Sequence, residues 1–252
     1  MSSDAVVTMN GIGKRYSTAK GDDVIALKNV TLEVRRGETL GIVGPSGCGK
    51  STLLRLIAGV DSQTNGTISR ESSRGEFLVG YVFQQSSLMP WRSVYDNIKL
   101  PLEVAKKPDP EAIENLIAMI GMKGFEKAYP LELSGGMQRR VSLARAFVHR
   151  PTIVLMDEPF TGVDELTKEA LQYELGRMIR DLEATAMLVT HDIEEAVFLS
   201  NRILVMSPRP GEIVHEVPVQ LPTARDPSMR TSIEFFDAAK QVRERLLRMH
   251  VQ

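Results

Sequence analysis

The most constraining stretch of this 252-residue chain is Gly44-Pro45-Ser46-Gly47-Cys48-Gly49-Lys50-Ser51-Thr52, placed directly after the apolar run 39–43. It satisfies GxxxxGK[ST] in the context where the pattern has meaning, between a predicted strand and a helix predicted over 51–58. Glycines let successive backbone N–H groups turn inward as an anion nest. The N-terminus of the following helix adds partial positive charge. The nine residues are therefore expected to cradle a nucleotide's phosphates, with Lys50 reaching the β- and γ-phosphates and the Ser51 hydroxyl ligating Mg²⁺. The loop by itself leaves kinases, GTPases and helicases open.

Reading outward, 6–9, 24–34 and 77–83 have the β-branched and aromatic content of strands. The continuous apolar runs 39–43, 152–156 and 186–190 suit strands covered on both faces. Further strands are expected at 203–206 and 213–219, joined by the Pro208-Arg209-Pro210-Gly211 turn. Residues 93–149 read as mostly helical, with the clearest periodicity at 110–120 and 135–148. Helices are also expected at 165–182, 193–199 and 232–249. Strand–helix alternation predicts a mixed α/β core, interrupted by a helical subdomain over about 88–150.

Four shorter motifs carry chemistry. Leu133-Ser134-Gly135-Gly136 opens a helical pattern and offers a second anion cradle, although serine is also an ordinary N-cap. An apolar strand ends in Asp157-Glu158. Alternation places the two carboxylates on opposite sides, so Asp157 can hold Mg²⁺ while Glu158 orients or deprotonates the attacking water. His191 closes another apolar strand, within reach of a γ-phosphate. Gln84, just past the 77–83 strand, can contact both Mg²⁺ and the water. One nucleotide needs one phosphate cradle, so a second in the same chain makes sense if it faces a nucleotide held by another copy.

The order and spacing of these motifs resemble the ABC (ATP-binding cassette) ATPase family over residues 5–220. The Walker A motif is then 44–52, the Q-loop centres on Gln84, the signature is 133–137, Walker B is 153–158, the D-loop is 159–164 ending in Asp164, and His191 is the H-loop residue. Tyr16 matches the family's adenine-stacking aromatic, a contact worth about 1–3 kcal/mol for bases elsewhere, and otherwise reads as a surface aromatic. The resemblance implies a P-loop NTPase core, with a mixed sheet and an antiparallel N-terminal β subdomain, spanning 1–87 and 151–220. It adds an inserted α-helical subdomain at 88–150 and a C-terminal helical tail at 221–252, all in one ABC domain over 1–252. ATP and Mg²⁺ are the implied ligands, and a head-to-tail dimer the implied assembly. Each ATP would lie between Walker A of one copy and the signature of the other. The fifth signature position is Met137, where the family most often has Gln, and Gln138 follows one place later. No catalytic group is lost, so a competent homodimer is expected.

Leu88-Met89-Pro90-Trp91-Arg92, the 133–140 segment LSGGMQRR and the 205–211 segment VMSPRPG further resemble the importer ATPases for nitrate, sulfonates or taurine. That likeness implies membrane-spanning permease subunits and an extracytoplasmic substrate-binding protein as partners. Trp91, the single tryptophan, reads either as a core anchor or as one wall of the groove that receives a permease helix.

Composition narrows the alternatives. Charge is balanced, with 31 basic against 32 acidic residues, which argues against a nucleic-acid footprint and so against a soluble ABC ATPase acting on DNA or ribosomes. One cysteine excludes an internal disulfide and a cysteine-based zinc cluster. The N-terminal ten residues lack a signal-peptide pattern, and no stretch reaches the roughly 20 apolar residues of a membrane span. The expected location is therefore peripheral, on the cytoplasmic face of the inner or plasma membrane, through partners. The ATPase of an exporter or lipid mover is the rival reading. Cys48 lies within the cradle, so thiol alkylation is expected to inhibit and ATP to protect. The tail helix is expected to pack through Ile233, Phe236 and Leu246.

Overall fold

The computed structural model describes residues 4–17, 22–72 and 75–249. The ends of the expected 1–252 domain and part of the polar loop between the first two strands lie outside them. In chain order the described elements are β1 (Ala5–Ser17), β2 (Asp23–Arg35), β3 (Thr39–Val43), α1 (Lys50–Ala58), β4 (Asn65–Arg70), β5 (Val79–Val82), α2 (Val94–Val104), α3 (Pro110–Met119), α4 (Gly135–Phe147), β6 (Ile153–Asp157), α5 (Glu165–Asp181), β7 (Ala186–Thr190), α6 (Ile193–Leu199), β8 (Arg202–Met206), β9 (Ile213–Pro218) and α7 (Ile233–Arg248).

Strands β3, β6, β7 and β8 are the short apolar runs of the sequence, and their alternation divides two cores. Leu40, Ile42, Leu155, Met187, Val189 and Leu204 point to one face, where they pack with Leu53, Leu56 and Ile57 of α1 and with Val7, Met9 and Leu27 of the first two strands. Val43, Val154, Met156, Leu188, Ile203 and Val205 point to the other, against apolar residues of α4, α5, α6 and α7. Burial on both faces is what the unbroken apolar pattern requires. The sheet order is β5-β6-β7-β3-β8-β9, parallel except for β9, which runs antiparallel to β8. A separate antiparallel sheet has the order β2-β1-β4. Structures like this place their ligands beyond the carboxyl ends of the parallel strands. Here four neighbouring strand ends deliver Gln84, Asp157, His191 and Gly44 to one rim.

Helices α2, α3 and α4 all lie between β5 and β6 in the chain. The close approach of α4 to β5 depends on Gly80, because a Cβ there would sit 2.2 Å from the Ala146 carbonyl oxygen. Two expectations need correction. The strand expected at 77–83 is only the four residues of β5. On the tail helix, Phe235, Ala238, Ala239 and Val242 are buried, at the i, i+3, i+4, i+7 spacing of one helical face, whereas Ile233 and Phe236 are 76% and 65% exposed. Leu246 is partly buried against the core, as expected. The apolar stripe runs one residue away from Phe236.

Candidate nucleotide site

The phosphate loop is shaped by its glycines. Gly47 and Gly49 have φ of 74° and 112°. At Gly49 a Cβ would also lie 2.7 Å from Leu27 and 2.9 Å from the Ala26 carbonyl oxygen. Helix α1 begins immediately after, and its first turn is left open. The other six helices each carry a side-chain cap, from Ser93, Asp109, Ser134, Asp164, Asp192 or Ser232, but Gly49 supplies none. The orphan N–H groups of α1 and its positive dipole end are thus free for an anion. Lys50 is buried, and its Nζ donates to the carbonyls of Gly44 at 2.8 Å and Pro45 at 3.1 Å. Its ammonium therefore lies across the loop. Ser46 and Gly47 are exposed, while Pro45, Ser51 and Thr52 are half-buried. Cys48 differs from expectation. Its side chain is 1% exposed and belongs to the apolar core beneath the loop, so only its backbone belongs to the cradle.

The two acidic residues at the end of β6 face different partners. Asp157 accepts from the Ser51 hydroxyl at 2.9 Å and from the Tyr81 hydroxyl at 3.4 Å. Burial pushes its carboxyl above the usual range, with Glu158 adding to the effect. A half-buried carboxylate beside a hydroxyl is a hard-oxygen donor pair, and Mg²⁺ is characteristically held by one or two such groups plus substrate phosphates and water. The described residues contain no cluster of three or more His, Cys, Asp or Glu that could hold a metal, so the pair fits a magnesium ion that draws its remaining ligands from phosphate and water.

Glu158 does not continue the strand's alternation. Its φ is 47°, a strained value for a non-glycine residue, held in place by its N–H donating to the Val189 carbonyl at 2.8 Å. This turns the side chain to a separate group of partners. Glu158 Oε2 lies 3.4 Å from Gln84 Nε2, 3.2 Å from the Thr161 hydroxyl and 3.2 Å from His191 Nδ1. Side chains from the ends of β5 and β7 and from the segment after β6 thus converge on one carboxylate oxygen.

The second cradle opens α4, a different helix from the one that Lys50 begins. Ser134 caps α4, accepting from the Met137 N–H at 3.3 Å, and Ser134 and Gly135 are exposed. Gly136 is half-buried, and a Cβ there would sit 2.8 Å from Thr167. A cavity of about 440 Å³ between Gln84, Gly135, Arg139, Thr161 and Gly162 joins this helix start to the rim of the sheet. Asp164 caps α5 by accepting from Thr167 at 3.1 Å, and its bonds to Thr167 hold its carboxyl below the usual range. Tyr16 is half-buried. Its hydroxyl donates to Asp61 at 2.7 Å, and the Lys14 ammonium lies 4.7 Å from its ring centroid. These contacts fix the ring beside Asp61, just past the C-terminal end of α1.

Three contacts were not read from sequence. Thr161 supplies a hydroxyl to Glu158. Arg209, in a stretch read as a turn and as part of the importer-like 205–211 segment, donates from Nε and Nη2 to the Gly47 carbonyl at 3.2 and 3.1 Å. Arg139 donates to backbone beside Gln84.

The phosphate loop, the Mg²⁺-type oxygen pair and the clustered Glu158 define a nucleotide-hydrolysing P-loop domain. Comparison with known proteins makes the assignment specific. Residues 27–161 match the family model described as ABC transporter. The chain is 46% identical to the ABC transporter ATP-binding protein MJ0412 of Methanocaldococcus jannaschii, over 88% of this chain and 84% of that protein. It is 42% identical to the aliphatic sulfonates import ATP-binding protein SsuB of Bacillus licheniformis, over 88% of this chain and 86% of the relative. Against SsuB of Bacillus subtilis the identity is 40%, over 94% and 91%. Among solved structures, the ATP-binding cassette MJ0796 in a dimeric post-hydrolysis state with ADP and Pi matches at a TM-score of 0.73 and 30% identity, over 86% of this chain and all of that one. The chain belongs to the ABC transporter ATP-binding family. It has the ABC ATPase fold, and it is an ATPase that uses ATP and Mg²⁺.

Proposed function

We propose that this chain works as one half of a head-to-tail pair that powers the import of a small sulfonate-type anion through separate membrane subunits. The observation that carries the catalytic part is the convergence of Gln84, Thr161 and His191 on Glu158 Oε2, one residue past the Asp157–Ser51 pair. In this reading Lys50 and the open N–H groups of α1 hold the phosphates. Ser51 and Asp157, with Gln84 nearby, would hold Mg²⁺, which supplies charge neutralisation at the β- and γ-phosphates. Glu158 orients the attacking water and takes its proton. His191 and Gln84 keep that carboxylate aimed and report the γ-phosphate to the rest of the chain.

Ser134 and Gly135 lie exposed and Gly136 half-buried at a helix start, where they are available to the ATP of a second copy, with Asp164 at the facing edge. A dimeric cassette with 30% identity to this chain supports that arrangement. Tyr16 stacks on adenine in this reading.

For the membrane partner, Trp91 supports the coupling role. It is 72% exposed, which excludes the core-anchor reading. Its loop is nonetheless rigid, because the buried Asn97 side chain accepts from Met89 N–H at 2.8 Å and donates to the carbonyls of Met89, Arg92 and Ser93. A large apolar ring on a fixed platform suits docking of a permease helix. No described helix is long and apolar enough to cross a membrane. The chain would therefore sit at the cytoplasmic face through that permease, with a substrate-binding protein outside. The sulfonate cargo is supported by the names of several relatives at 38–44% identity.

Glu158→Gln tests the catalytic reading. It should keep ATP binding, form a dimer in sedimentation with Mg²⁺-ATP, and lose about 10²–10⁴-fold in turnover; near-normal hydrolysis would refute the role. Purification of the tagged chain with its permease and binding protein tests the cargo, and a binding protein indifferent to aliphatic sulfonates would overturn that part alone.

A further inference from the structure

We propose that Arg139 is a positioning residue for ATP hydrolysis, holding Gln84 against Glu158 from the helix that begins at Ser134. The proposal rests on the roles given above to Gln84 and Glu158, and it assigns the device that sets the distance between them.

Arg139 lies in the second turn of α4 and is 4% exposed. Its Nη1 donates to the Phe83 carbonyl at 2.7 Å and its Nη2 to the Gln84 carbonyl at 2.5 Å. Both acceptors lie just beyond β5, where the strand's own pairing has ended. A planar guanidinium fork matches two successive carbonyls in a way that a lysine does not. Among the described residues Arg139 has no ion pair; burial works against its charge and the nearby Glu195 works for it, while these two charge-assisted bonds take up its guanidinium donors. The neighbouring loop is gripped by the same helix. Ser86 donates to Gln138 at 2.8 Å, and Arg145 donates to the Ser87 carbonyl and hydroxyl at 2.8 and 2.6 Å.

The consequence lies at the other end of Gln84. Its amide reaches Glu158 at 3.4 Å, the outer limit of a hydrogen bond. A backbone movement of well under 1 Å makes or breaks that contact, and the Arg139 fork sets the backbone position. The start of the same helix, with Ser134 and Gly135 exposed, is the element offered to a second copy's nucleotide in the pair proposed above. Arg139 thus joins a group at this chain's own water-activating carboxylate to the element offered to the neighbouring ATP.

Four variants test the inference through steady-state hydrolysis: Arg139→Gln, Arg139→Lys, Gln84→Ala and the double variant Arg139→Gln/Gln84→Ala, each checked for thermal unfolding. Arg139→Gln should lower kcat by roughly 10- to 100-fold, the scale of a small misplacement in an active site, with KM for ATP within about twofold of the parent. Arg139→Lys, which keeps the buried charge and the fold but not the fork, should recover only part of the loss. Because Arg139 acts through Gln84, the double variant should be no slower than Gln84→Ala alone. Full kcat in Arg139→Gln or Arg139→Lys, or losses that multiply in the double variant, would overturn the proposal. Full activity in Gln84→Ala would instead remove the underlying reading of Gln84, and this inference with it.

Discussion

Nδ1 of His191 lies 3.2 Å from Oε2 of Glu158, and the two side chains differ sharply in exposure, at 60% and 18%. The histidine closes the site from the solvent side, and the glutamate forms its floor. In the proposed reading the grip on the phosphates falls to Lys50 and the start of α1, and His191 acts on Glu158. His191→Ala should therefore lower kcat by about 10²-fold, the usual scale for loss of a positioned acid–base partner, and leave ATP affinity nearly unchanged. Paired measurements of turnover and nucleotide binding check this. A large loss of affinity with intact turnover would place the histidine on the binding side of the mechanism.

Arg209 grips the outer edge of the phosphate loop by donating twice to the Gly47 carbonyl. The bonds fix the Gly47 carbonyl and with it the peptide that carries the Cys48 N–H. The bond is exposed to solvent, so its net contribution is about 0.5–1.5 kcal/mol, or roughly 2- to 10-fold in ATP affinity. Arg209→Ala should show that weakening in a nucleotide titration, with kcat at saturating ATP preserved. An unchanged Kd would make the Pro-Arg-Pro-Gly loop a connector and nothing more.

Cys48 is the position where the spatial reading reverses the sequence expectation. Its thiol lies in the core beneath the loop, and burial pushes its pKa up, which suppresses the reactive thiolate at neutral pH. Iodoacetamide should label the folded protein slowly between pH 7 and 8, with a rate insensitive to ATP at the thiol itself. Cys48→Ala should retain turnover within about twofold and lose about 1 kcal/mol or more of stability from lost packing. Mass spectrometry showing rapid labelling blocked by ATP would return the thiol to the nucleotide side.

The phosphate loop and the apolar strands could be read directly because their signals are local. Ser51 and Asp157 are 106 residues apart, yet Ser51 opens the helix that follows the phosphate loop at the end of β3 and Asp157 ends β6, and a parallel sheet brings strand ends together. Strand β4 escaped notice because Asn-Gly-Thr-Ile-Ser-Arg is polar and its residues are exposed apart from the half-buried Ile68. Its place comes from pairing with β1, which leaves no mark in its own hydrophobicity. The contacts of Arg139 and Arg209 were hidden for a different reason. Their acceptors are backbone carbonyls, which every residue type supplies, so no partner residue could announce them. The tail helix was assigned correctly as a helix, but Ile233 and Phe236 were taken for its buried face. A single helix fixes the period of its apolar stripe more firmly than its phase.

Glu195 provides a last test, through pH. It is 4% exposed on α6, and its Oε1 has no hydrogen-bond partner in the described structure. Burial first, then the charge of Asp192, pushes its carboxyl up to about 8, against a lowering by Lys168 and by a bond to Thr190; Glu158 also raises it. Arg139 on α4 faces the same space. The sign follows from proton linkage. Between the unfolded value of 4.5 and about 8, the folded chain holds a proton that the unfolded chain has released, so stability falls as pH rises through that window and levels off above it. Glu195→Gln keeps the shape without the titration. It should raise Tm relative to the parent by at least about 2–4 °C at pH 8, the shift that 1 kcal/mol produces in a chain of this size, and the gap should close as pH approaches 4.5. Scanning calorimetry across this range decides the point, since a constant difference between the two proteins would mean that Glu195 ionises without cost in the folded state.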